Sequence, residues 1–87
     1  MSKFRKLMLK ILSGRQDTNI QFDELRGLLK YIGFQERIKG GHYIFTKDSV
    51  VEIINLQPVG SLSKAYQVKQ VRNLIISYNL GEDDAEI

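Results

Sequence analysis

Apolar residues near the start of the chain recur at helical spacing: Phe4, Leu7, Met8 and Ile11 fall on one face, with Lys3, Lys6 and Lys10 on others. This pattern predicts a short amphipathic helix over residues 3–12, stopped by Ser13-Gly14. The polar run "RQDTNIQ" reads as a connection, from which Ile20 or Phe22 closes over the next helix as a hydrophobic staple. Phe22, Leu25, Leu28, Leu29 and Ile32 trace that second helix. Gly33 suits the left-handed position just beyond its end, and Phe34 can fold back onto the last turn.

From Phe34 the period changes. Three β-prone runs, "FQERIK", "HYIFT" and "VVEIINLQ", are separated by Gly40-Gly41 and by Lys47-Asp48-Ser49, which predicts a three-stranded antiparallel meander. "QPVGSLSK" holds the only proline and reads as a loop, with Ser63 as a cap for the helix that follows. In that last helix Val68, Val71, Leu74, Ile75 and Tyr78 face one way, while Lys69 and Arg72 share a more polar side. The expected fold is α+β: a three-stranded antiparallel sheet covered on one face by helices, its opposite face left for a ligand or partner. Val68, Val71, Leu74 and Ile75 are assigned to packing, as is the aromatic set Phe22, Phe34, Phe45 and Tyr78. The chain is expected to form a single domain over 1–87, with residues 81–87 as an acidic, frayed tail.

Composition narrows the chemistry. Eighty-seven residues with 43% hydrophobic content support one small core. The absence of cysteine excludes disulfides and thiolate sites and fits a reducing compartment, so a cytoplasmic location is expected. The apolar run at the N-terminus is interrupted by Lys10 and too short for a signal peptide or a membrane span, so no membrane partner is expected. The net charge of +3 conceals an asymmetry. Residues 1–15 carry five basic groups and no acid, whereas Glu82, Asp83, Asp84 and Glu86 crowd the tail. A basic body suits a polyanion such as RNA, or an acidic protein partner. A single histidine and no cysteine cannot build a zinc site, no glycine-rich phosphate loop is present, and neither a metal nor a cofactor is expected.

The one histidine lies in "KGGHYIFT", directly after the predicted hairpin turn. An imidazole there can shuttle a proton, and in metal-free RNA cleavage a base removes the ribose 2′-hydroxyl proton while cations stabilise the charged phosphate. His42 is the candidate base, and Lys39, Lys47, Lys69 and Arg72 are the candidate phosphate contacts. Strand alternation pairs His42 with Ile44 and Tyr43 with Phe45 on opposite faces, so His42 begins on the core side if Ile44 faces the helices. Tyr43 can contact phosphate or stack on a base, but a phenol titrating near about 10 is a poor base at neutral pH.

Taken together in this order, "FDELRGLLKYIGF", "KGGHYIF", "INLQP" and "YQVKQVRNLIISYNL" resemble the HicA family of toxins from prokaryotic toxin–antitoxin systems, over about Phe22 to Leu80. The resemblance implies a double-stranded-RNA-binding-domain-like α-β-β-β-α fold, metal-independent cleavage of messenger RNA, and inhibition by a HicB-like antitoxin. The first helix stands outside this core as an addition. Gly40 matches the family's glycine and Gly41 replaces its serine. His42 holds a variable position, and Tyr43 stands where the catalytic histidine is usual. Three readings therefore stay open: a ribonuclease using His42, an RNA-binding module without catalysis, and a protein-interaction domain without RNA activity. These residues fix neither an RNA sequence preference nor an oligomeric state.

Overall fold

The structure, a computed structural model, describes residues 3–81. Its order is α1 (Lys3–Ser13), α2 (Phe22–Tyr31), β1 (Gln35–Lys39), β2 (His42–Lys47), β3 (Val50–Leu56), β4 (Pro58–Val59), β5 (Leu62–Ser63) and α3 (Ala65–Tyr78). Strands β1, β2 and β3 form an antiparallel sheet in that order, and β4 with β5 makes a separate two-stranded ribbon. From α2 to α3 the chain thus follows the expected α-β-β-β-α order, with α1 added before it. The tail expected to fray lies, beyond Gly81, outside the described residues. No helix among the described residues is long and apolar enough to cross a membrane.

Each boundary has a local cause. Ile20 and Leu25 flank the first turn of α2 and are both fully buried, which is the placement a hydrophobic staple requires. At the other end Gly33 takes φ +108°, its N–H bonds the Lys30 carbonyl at 3.1 Å, and the Phe34 N–H reaches back to Leu29 at 2.9 Å. That pair of bonds is a Schellman motif. It assigns Phe34 to the helix end and not, as the apolar pattern suggests, to the first strand. Gly40 and Gly41 both adopt positive φ, +56° and +83°, as a two-residue type I′ hairpin between Lys39 and His42 demands. Between β2 and β3 no non-glycine residue takes a positive φ, and the register slips between Phe45 and Lys47.

Two expectations are corrected in the segment between β3 and α3. The stretch read as loop contains the β4–β5 ribbon, which docks on the start of α2: the Phe22 N–H donates to the Ser61 carbonyl at 2.9 Å, and the Ser63 N–H to Ile20 at 2.8 Å. Ser63 does not cap α3. Lys64 occupies the cap position, and the Ser63 hydroxyl is buried without a hydrogen-bond partner, because its backbone is held in the ribbon one residue too early.

One core joins the helices to the inner face of the sheet. Phe45, Ile54 and Leu56 from the sheet are fully buried, along with Leu25, Leu28 and Leu29 of α2 and Val68 and Val71 of α3. Phe22 and Phe34 are buried as assigned, and Tyr78 is half-buried with its hydroxyl donating to the Glu52 carboxylate at 2.6 Å. Helix α1 packs on α2 and α3 through Leu7, Met8 and Ile11, so the added helix belongs to the same core. A Cβ at Gly27 would stand 3.0 Å from the Phe4 ring, so the glycine permits the close approach of α1 to α2.

Candidate functional site

Full burial of Phe45 decides which way β2 faces. Its neighbours at even spacing follow it: Tyr43 turns toward the helices, and His42 and Ile44 project from the open face. Cross-strand register extends both sets. Opposite Ile44 stand Arg37 on β1 and Asn55 on β3, and Lys39 is opposite His42. The open face therefore carries Gln35, Arg37 and Lys39 from β1, His42, Ile44 and Thr46 from β2, and Val51, Ile53 and Asn55 from β3. None of these is acidic. Arg37 and Lys39 are exposed and form no ion pair among the described residues.

His42 is exposed but held. Its Nδ1 lies 3.1 Å from Asn55 Oδ1, and its Nε2 lies 3.4 Å from Gln57 Nε2. An amide oxygen can only accept and an amide nitrogen can only donate. With the two amides in this orientation, Nδ1–H donates to Asn55 and the Nε2 lone pair faces Gln57. Asn55 and Gln57 lie two residues apart in "INLQP", the spacing that puts both side chains on one face of an extended strand. That spacing was the available signal for them, and for Arg37, which shares the face with Lys39.

Tyr43 has a different environment. Its ring meets Phe22 edge-on with centroids 4.9 Å apart, and the Arg26 guanidinium lies 4.6 Å from the ring centre. Arg26 is itself fixed by Glu36, with Nε–H donating to Oε2 at 2.7 Å and a second bond to Oε1 at 3.1 Å, while Lys30 adds a contact at 3.3 Å. The hydrogen bond from Arg26 is the main reason the Glu36 carboxyl is held below its usual range, and the same bond raises Arg26 above its own. Tyr43 is thus part of an inner cation–aromatic cluster on the opposite side of the sheet from His42.

Of the cations read from the sequence, only Lys39 stands beside His42. Lys47 is at the other end of β2, about 16 Å away along an extended strand. There its ammonium leans on the end of α2, where a Cβ at Gly33 would meet it at 2.6 Å. Arg72 is half-buried and donates to Asp17 at 2.8 Å and to the Ile11 carbonyl at 3.2 Å, tying α3 to the end of α1. Lys69 is exposed on α3. The structure does not gather these three with Lys39.

No family model, curated protein or solved structure matches the chain.

Elsewhere, Met8, Leu12, Ile75, Ile76 and Leu80 line an open groove of about 350 Å³ between α1 and the end of α3. It is mostly apolar, Asn79 being the one polar side chain in its lining, and holds no titratable side chain. Among the described residues, only the turn end of the sheet combines an imidazole with cations that form no ion pair. At its β3 edge stands Tyr66, 66% exposed, an aromatic surface the sequence pattern did not single out.

Proposed function

We propose that the protein is a HicA-like RNA-binding toxin component that engages messenger RNA on the open face of its sheet and cleaves it with His42 as base. The observation that carries this reading is the acid-free face on which a histidine oriented by two amides stands opposite Lys39, with Arg37 two residues further along the same strand. Phosphates are drawn to the cations, and Ile44 and the exposed Tyr66 ring offer apolar surface to unstacked bases.

The chemistry follows from the tautomer. Nε2 takes the proton of a ribose 2′-hydroxyl when that hydroxyl displaces the long contact from Gln57. The 2′-oxygen attacks the adjacent phosphorus, the bond to the 5′-oxygen breaks, and that oxygen receives the proton from the imidazolium. The products are a 2′,3′-cyclic phosphate and a 5′-hydroxyl. Lys39 and Arg37 stabilise the charge that builds on the phosphate oxygens. A cytoplasmic setting and restraint by a HicB-like antitoxin complete the reading, the antitoxin covering the same cationic face.

A second reading, RNA binding without cleavage, has one observation in its favour: the position where the resemblance places a catalytic histidine holds Tyr43, which faces inward. One experiment separates the two. Single-stranded RNA is incubated with wild type, His42→Ala and Tyr43→Phe in chelator. Cleavage that is lost in His42→Ala and kept in Tyr43→Phe supports the ribonuclease. RNA retained on a filter but left intact by all three supports the binding module, and no retention at low salt overturns both.

A further inference from the structure

The side chain of Gln67, on α3, is buried, whereas Gln70 on the same helix is half-buried and Asn73 exposed. Its Oε1 accepts from the backbone N–H of Gln57 at 3.3 Å, and its Nε2 donates to the backbone carbonyl of Asn55 at 3.2 Å. The same nitrogen lies 3.3 Å from the Tyr66 hydroxyl. The carbonyl of one strand residue and the N–H two positions later point to the same side. Here that side is the edge of β3 that faces away from β2. One side-chain amide therefore plays the part of a peptide group in a neighbouring strand, closing the open edge at this single point.

The segment it fixes is the one that matters to His42. With Leu56 buried between them, Asn55 and Gln57 both project onto the open face, where they bracket the imidazole. Pro58 follows at once without an N–H of its own and opens the β4–β5 ribbon, so between the last β2–β3 pair at Leu56 and that ribbon it is Gln67 that holds the backbone at Gln57. We infer that Gln67 is a positioning residue, setting the tautomer and direction of His42 through the backbone of β3. The catalytic part of this inference rests on the ribonuclease reading; the positioning part does not.

Because His42 is the only histidine, long-range ¹H–¹⁵N spectra of the imidazole report its tautomer without ambiguity. Wild type is expected to show Nδ1–H. In Gln67→Met, which keeps length but not hydrogen bonding, both tautomers should be populated. Tyr78→Phe, which cuts a different tie between α3 and β3, should match wild type. With RNA as substrate, Gln67→Met should lower kcat by roughly ten- to a hundredfold with little change in KM. An unchanged tautomer in Gln67→Met overturns the inference, whether or not the protein cleaves RNA. A shifted tautomer in a protein with no cleavage upholds the positioning role and overturns the ribonuclease reading alone. If Gln67→Met does not fold, hydrogen exchange on wild type decides: the Gln57 amide should be protected despite its place on an open edge, and rapid exchange there contradicts the assignment.

Discussion

His42 and Tyr43 are adjacent in sequence and on opposite sides of the sheet. The alternation was legible from the strand pattern; which of the two faced the core was not, because Ile44 and Phe45 are both apolar enough to claim the interior. Packing decides it, since the larger ring is fully buried against the helices while Ile44 is only half-covered. A histidine substituted at position 43 would lie beneath the Arg26 guanidinium, turned away from Lys39 and Arg37. The double variant His42→Ala/Tyr43→His should accordingly remain at the cleavage level of His42→Ala. Recovery of wild-type cleavage in a product assay would show that the inner side of the hairpin carries the chemistry. Gln67 was not legible at all. Buried and solvated amides look alike in a helical pattern, and only the unpaired edge of β3 reveals the difference.

At the scale of elements, the glycine cap of α2 and the Arg26–Glu36 bridge fix how β1 and β2 meet the helices. Gly33→Ala places a Cβ at positive φ and against the Lys47 ammonium, so it should destabilise the fold by about 1–3 kcal/mol in urea unfolding. Glu36 links β1 to α2 with its side chain largely covered, and Glu36→Gln should cost roughly 1–3 kcal/mol. Its pH dependence has a definite sign. Because bonding to Arg26 depresses the folded-state carboxyl, its contribution is complete above the ordinary glutamate value, about 4.3, and is lost as pH falls through the lower folded value. The Tm difference between wild type and Glu36→Gln should be full at pH 7 and close in the acid range. The ends of α1 and α2 and the β1–β2 turn were readable because glycine marks them. The β4–β5 ribbon was not, since its two short strands depend on docking to the start of α2 and carry little periodicity of their own.

Across the whole molecule, total charge is a poor guide to the interface. Arg72 belongs to the polar side of its helix in any sequence reading, yet it holds α1 and α3 together through Asp17 and Ile11, a contact between residues far apart in the chain. What distinguishes the open face is the combination of free cations and no carboxylate, and that emerges only when strand register is known. The consequence is measurable as salt dependence. Binding of a single-stranded RNA should lose about 0.7 from the slope of log K against log salt in Lys39→Ala, the effect of one phosphate contact. Lys6→Ala, which removes the same charge from α1, should leave that slope near the wild-type value.

The claim on which the rest depends is that RNA lies on the open sheet face around His42. The most direct measurement is a backbone and side-chain NMR titration of the wild-type protein with a 2′-O-methylated oligonucleotide, which binds without being cleaved. Shifts concentrated at Arg37, Lys39, His42, Ile44, Asn55 and Gln57 are the predicted result. Shifts concentrated on α1 or the exposed side of α3, with the open face unchanged, would contradict it.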